Sequence, residues 1–191
     1  GLFYLSCRLI LVSHALTQWN IEGRIQGHTD VPLNNEGRTM AQCLAKRLAR
    51  ETIHAVYASD LKRSVQTAKP TAEQKSLEII LDIRLREGRS INQERSDTYP
   101  TLPFSREVET ETDLYQRMTA ALSDIARSHD GQTVLVISHG GSIEVFINHF
   151  LEKTREILIR YQGIRMALNR LRYDSGRWQC IRLNEDDFFR K

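Results

Sequence analysis

Short, nearly unbroken apolar runs of β type alternate with stretches of helical period along most of this chain, and no other feature restricts its fold as tightly. Leu9-Ile10-Leu11-Val12 and Val134-Leu135-Val136-Ile137 are the plainest of these runs. Strands with so little polar alternation sit in parallel sheets covered on both faces by helices. The first strand is predicted at Arg8 to Ser13. Asn34 then caps a helix carrying Met40, Leu44 and Leu48 at a spacing of four. Ile53 to Ala58 reads as a second strand ending at Ser59-Asp60, where a capping residue starts a helix with Arg63, Val65 and Ala68. Leu77 to Leu81 is a third strand. Leu114, Met118, Leu122 and Ile125 mark a long helix ending near Gly131, a further helix follows from Ser142, and Met166 to Tyr173 and Trp178 to Leu183 form a closing hairpin around Asp174-Ser175-Gly176. Between residues 84 and 113 no period holds and two prolines, Pro100 and Pro103, interrupt the chain, so this stretch is predicted to cross one end of the sheet as a small lid. The expected fold class is α/β: a three-layer α/β/α sandwich with a mostly parallel central sheet, in one domain spanning residues 1–191.

Charge and cysteine content narrow the function. Lys and Arg number 27 against 24 acidic residues, a balance too even for a nucleic-acid binder but compatible with a locally basic pocket for a small anion. Arginine's planar fork suits phosphate. Cys7, Cys43 and Cys180 are odd in number and lack Cys-x-x-Cys spacing, so they signal neither a disulfide framework nor a zinc site, and a reducing cytoplasm is the expected compartment. The apolar opening up to Val12 is broken by Arg8 and far too short to span a membrane. Oligomeric state is not legible.

Both of the plainest apolar runs end on a serine and a histidine, Ser13-His14 and Ser138-His139. Ligands of open α/β sheets bind beyond the carboxyl ends of the strands, so two strand-end imidazoles can converge on one pocket. Ser13 is not expected as a serine-hydrolase nucleophile, since no Gly-x-Ser-x-Gly elbow is present. Trp19, Trp178 and the Leu114 to Ile125 stripe read as packing. His54, His129 and His149 read as surface or helix-end residues.

These motifs resemble the histidine phosphatase superfamily, also called phosphoglycerate mutase-like. Its opening motif is Arg-His-Gly-x-Thr-x-x-Asn, and Ser13-His14-Ala15-Leu16-Thr17-Gln18-Trp19-Asn20 matches at the histidine, threonine and asparagine. Glu22 to Asn34 looks like the family's phosphate-side loop, Val56 to Ala68 like its second arginine motif, Leu85-Arg86-Glu87 like its acid motif, and Val136 to Gly141 like its second histidine motif. The resemblance implies a metal-independent phosphomonoesterase without a cofactor, acting on a small phosphorylated metabolite. His14 would be the nucleophile forming a phosphohistidine, Glu87 the proton donor and then the base, and Arg63 and His139 the donors to transition-state charge. Phosphate would rest among Ser13, Asn20, Gln26, Gly27, Arg63 and Gly140, with His28 a further candidate for substrate contact. The compact lid is similar to that of small-substrate phosphatases, including broad-specificity and α-ribazole phosphate types.

Two departures bear on activity. Ser13 stands where the family has arginine, removing one fixed cation, and a lost donor to a developing oxyanion costs roughly 10²- to 10³-fold in rate. Arg24, Arg86, Arg89 and Arg106 are the candidates to replace it. Ala15 stands where the family has glycine, so the backbone there must tolerate a Cβ. Two other readings remain at this point: a phosphoglycerate mutase that returns the phosphoryl group, and a noncatalytic binder of phosphorylated ligands. Gln93, Arg95, Tyr99 and Arg106 of the lid are the expected carriers of specificity.

Overall fold

The computed structural model describes residues 6–90, 92–104, 108–154 and 161–187. Six strands form one sheet in the order β3-β2-β4-β1-β5-β6. They are β1 (Cys7–Ser13), β2 (Ala55–Ala58), β3 (Ile79–Leu81), β4 (Thr133–Ser138), β5 (Leu168–Asp174) and β6 (Arg177–Glu185). The helices are α1 (Gln18–Ile21), α2 (Asn35–Leu48), α3 (Lys62–Lys75), α4 (Glu111–Ser128) and α5 (Gly140–Thr154). The pairs β2–β3, β2–β4 and β1–β4 are parallel, whereas β5 runs antiparallel to β1 and β6 antiparallel to β5.

The alternating direction of strand side chains builds the two outer layers. Leu9 and Leu11 of β1 and Val134 and Val136 of β4 face α4 and α5, where they pack with Met118, Leu122, Phe146 and Ile147. Ile10, Val12, Leu135 and Ile137 face the other way, onto Leu44 and Leu48 of α2 and Ala68 and Ala72 of α3. Burial of both faces explains why neither strand carries the polar alternation of a one-sided sheet. The predicted Leu114 to Ile125 stripe lies in the first of these clusters.

Local signals set most helix starts. Asn34 accepts the Gly37 N–H, and Thr110 forms a reciprocal capping box with Asp113. The start of α3 differs from the expectation. Neither Ser59 nor Asp60 caps it; Leu61 precedes the first turn without a side-chain cap, and Asp30 Oδ1, brought from the preceding loop, accepts the Lys62 N–H at 2.7 Å. Helix α5 begins at Gly140 rather than Ser142, directly after His139. Residues 86–90, 92–104 and 108–110 contain no helix or extended strand.

Candidate active site

The β1–β4 register brings the two histidine motifs together. Ser13 and Ser138 are paired across the parallel ladder, and the His14 N–H continues it by donating to the Ser138 carbonyl at 2.9 Å. His14 and His139 therefore leave adjacent strand ends side by side, their ring centroids 5.2 Å apart. His14 lines a cavity of about 360 Å³ together with Ser13, Asn20, Gln26, Gly27, Arg63, Glu87, Gly140 and Arg165. His139 lies deeper, fully buried behind that wall.

Each imidazole is fixed through one nitrogen. His14 Nδ1 is 2.6 Å from the Ala15 carbonyl oxygen, which can only accept, so Nδ1 carries the proton and Nε2 holds the lone pair. Burial, reinforced by the charges of Arg63 and Arg165, holds the His14 pKa well below 6.5; the Ala15 contact opposes this. Ala15, where a glycine was expected, is buried, and its N–H donates to Thr67 Oγ1. His139 Nε2 pairs with Ser59 Oγ at 2.7 Å, while its buried Nδ1 has no hydrogen-bond partner. Burial, followed by the charge of Arg63, also depresses His139.

Arg63 is the largest fully buried side chain among the described residues. Its Nη1 and Nη2 donate to the Thr29 and Gly27 carbonyls at 2.7 Å each, and its Nε has no partner. Burial pushes the guanidinium down to about 10, so it remains a cation at neutral pH. It makes no ion pair with a carboxylate among the described residues. The loop carrying Gly27 and Thr29 is thus wrapped around a charge that Glu87 and Asp30 stabilise only from a distance.

Glu87 closes the opposite wall from α5. Its Oε1 accepts the backbone N–H groups of Gly88 and Ser142 at 3.0 and 2.9 Å, and its Oε2 accepts that of Gly141 at 3.1 Å. The Gly141 and Ser142 donors are first-turn N–H groups that no intrahelical carbonyl could satisfy. A Cβ on Gly141 would lie 2.7 Å from Glu87 Oε1, whereas one on Gly140 would meet nothing within 4 Å. A side chain at 141 would therefore push the Glu87 carboxylate away from α5.

Several sequence expectations change. The Ser13 hydroxyl is occupied in accepting the Met166 N–H at 3.0 Å. Asn20 Oδ1 accepts Thr17 N–H in the capping box of α1, although its residue still borders the cavity. Gln26 Oε1 accepts from Thr17 Oγ1. His28 is not at the cavity wall: it is fully buried between the Glu87 carbonyl, 2.8 Å from its Nε2, and the ring of Phe104. Among the candidates for the missing cation, Arg86 makes a two-pronged pair with Asp60, and Arg24 borders the cavity but is engaged by Glu22 and Glu94 and lies over Trp19. Arg89 does not border the cavity, and Arg106 lies outside the described residues. Arg165, which the sequence reading missed, does border it. No motif surrounds that arginine, and only the loop's path brings it near His14.

Among the described residues, no three His, Cys, Asp or Glu side chains gather as a metal site, and no helix is long and apolar enough to cross a membrane. The sequence matches the histidine phosphatase superfamily (branch 1) over residues 9–186. The chain belongs to that superfamily. It is 34% identical over 171 residues to phosphoglycerate mutase-like protein 4 of Arabidopsis thaliana, covering 78% of this chain and 73% of that protein. It is 36% identical over 149 residues to phosphoserine phosphatase 1 of Hydrogenobacter thermophilus, covering 69% and 70% respectively. The fold superimposes on a phosphoserine phosphatase mutant from Entamoeba histolytica in complex with phosphoserine with a TM-score of 0.79 at 21% identity, over 96% of this chain and 100% of that one. Superfamily membership agrees with the α/β fold expected from the sequence.

Proposed function

We propose that this protein is a metal-independent phosphomonoester hydrolase that works through a phosphohistidine at His14, on a small phosphorylated metabolite. The observation that carries the reading is the state of His14: neutral, with Nδ1–H held by a carbonyl and the Nε2 lone pair left for phosphorus. Attack by Nε2 forms the N–P bond and breaks the ester P–O bond, and the departing alkoxide takes a proton from Glu87. Water then gives a proton to Glu87 and attacks phosphorus, the N–P bond breaks, and phosphate leaves. Of the two carboxyl oxygens, Oε2 accepts fewer backbone bonds and has the greater capacity for this exchange.

The phosphoryl oxygens gain charge along this path and need fixed donors. Arg63 Nε and His139 Nδ1 are buried polar atoms without partners, the condition of donors held ready for an anion. With His139 neutral, Ser59 donating to Nε2 leaves the proton on Nδ1, as this role needs. Asn20, Gln26, Gly27 and Gly140 complete the phosphate wall, while Ser13 contributes through the loop it holds. The named relatives include a phosphoserine phosphatase, which supports a small leaving group.

A mutase is the second reading, favoured by the relative named phosphoglycerate mutase-like. The two readings share the first half-reaction and differ in what accepts the phosphoryl group. Phosphate release from a panel of phosphomonoesters, with and without phosphoglycerate as acceptor, separates them. Wild-type protein is expected to release phosphate and to yield an acid-labile, base-stable phosphoenzyme on rapid quench, and His14→Ala to do neither. A wild-type protein indistinguishable from His14→Ala would refute both.

A further inference from the structure

The Arg165 side chain enters the site from a segment that no active-site motif includes. Position 13, where the family motif that the sequence resembles has arginine, holds a serine whose short side chain reaches the backbone of Met166. That contact draws residues 163–166 toward the end of β1. Two further bonds tether the same segment: the Gly163 N–H donates to Glu144 Oε1 of α5 at 2.8 Å, and the Ile164 N–H to Asn184 Oδ1 of β6 at 3.0 Å. Met166, fully buried with φ of +62°, turns the chain sharply at this point. Arg165 is thereby held over the cavity, its Nη1 3.4 Å from the His14 carbonyl oxygen.

We infer that Arg165 is a phosphate-binding residue, supplying from the β5 side of the sheet the guanidinium that Ser13 lacks. Arg165 makes no ion pair with a carboxylate among the described residues, and its one hydrogen bond is long. A side chain so placed keeps most of its five donors for another partner. Its charge is felt by the groups around the cavity, adding to the effect of burial in depressing His14 and Arg63, while burial lowers Arg165 itself and Glu87 opposes this. Two guanidiniums without carboxylate partners then border one cavity of about 360 Å³, an arrangement that favours a doubly charged anion. The serine matters in two ways, since it leaves room at the strand end and fixes the loop that fills it.

The inference rests on the phosphoryl-transfer reading, so its test separates binding from turnover. Orthovanadate affinity, by calorimetry, and kcat/KM for p-nitrophenyl phosphate are measured for wild type, Arg165→Ala and Arg165→Lys, with thermal unfolding as the fold check. Arg165→Ala is expected to weaken vanadate binding and lower kcat/KM by roughly 10²-fold, the scale of one lost oxyanion donor. Arg165→Lys is expected to recover part of both, by restoring charge without the fork. With a single long bond to lose, neither variant is expected to unfold. Wild-type turnover with vanadate affinity unchanged in a folded Arg165→Ala would overturn the role of Arg165 and leave the enzyme reading intact. Vanadate binding that depends on Arg165 in a wild type without turnover would support the role and refute the enzyme.

Discussion

Gly141→Ala isolates the contribution of Glu87, because the perturbation reaches the carboxylate from behind without changing its chemistry. An added Cβ would lie 2.7 Å from Oε1, against an ordinary contact of at least 3.4 Å, so the carboxylate or the helix end must yield by about 0.7 Å. A shift of that size stretches at least one of the three backbone bonds beyond hydrogen-bonding distance, a loss of about 1.5–3 kcal/mol for a charged acceptor. Replacing a helical glycine by alanine returns up to about 1 kcal/mol, so the net fall in stability is about 0.5–3 kcal/mol and the melting temperature drops by about 1–12 °C. Activity should suffer more selectively. Proton donation to a leaving group contributes about 10²- to 10⁴-fold, and a displaced donor forfeits part of that. An alkyl phosphate such as phosphoserine needs the proton on its departing oxygen, whereas p-nitrophenolate leaves readily without one. Steady-state kcat/KM is therefore expected to fall by about 10- to 10²-fold for phosphoserine and by less than about 3-fold for p-nitrophenyl phosphate. Equal losses for the two substrates, or no loss for either, would show that the position of Glu87 does not govern leaving-group protonation.

Ser13→Ala removes the acceptor for a buried Met166 N–H, which costs about 1–3 kcal/mol, and is expected to weaken vanadate binding by releasing the Arg165 loop; denaturant titration and calorimetry read the two effects. Asp60→Ala strips the carboxylate from a nearly fully buried Arg86, and thermal unfolding is expected to show a loss of about 3 kcal/mol or more. Burial lowers the His28 pKa from 6.5 to about 4. Between those values the unfolded chain binds the proton and the folded one does not, so this residue's contribution is intact above pH 6.5, falls as pH drops through the window, and levels off below 4 after a loss of about 3 kcal/mol. Urea titrations at pH 7, 5.5 and 4 measure it, with His28→Gln expected to remove this residue's share while those of the buried His14 and His139 remain. The acid limb of kcat/KM should lie well below pH 6, since burial and two cations keep the His14 imidazole neutral there.

The two strand-end histidines were readable because everything that sets them is local: an apolar run long enough to cross the sheet, followed by the residue that leaves it. The same holds for Arg63 in the first turn of α3 and for Asn34 as a cap. Glu87 was legible as an acid beside a strand end, but its three backbone donors come from Gly88 and from α5, more than fifty residues onward. Asp30 as the cap of α3 had no signal near that helix, where Ser59 and Asp60 offered the right chemistry and are used elsewhere, by His139 and Arg86.

Side-chain periodicity along the chain determined the layers and the strand ends from which His14 and His139 leave the sheet, since burial on two faces leaves a pattern that a short window can hold. Tertiary structure alone decided that Arg165 borders the same cavity as His14. Arg165 belongs to a turn whose path is set by bonds to Ser13, Glu144 and Asn184, residues on three different elements. Such a turn has no period of its own, and a guanidinium's place is fixed only when the distant groups that hold its backbone have met.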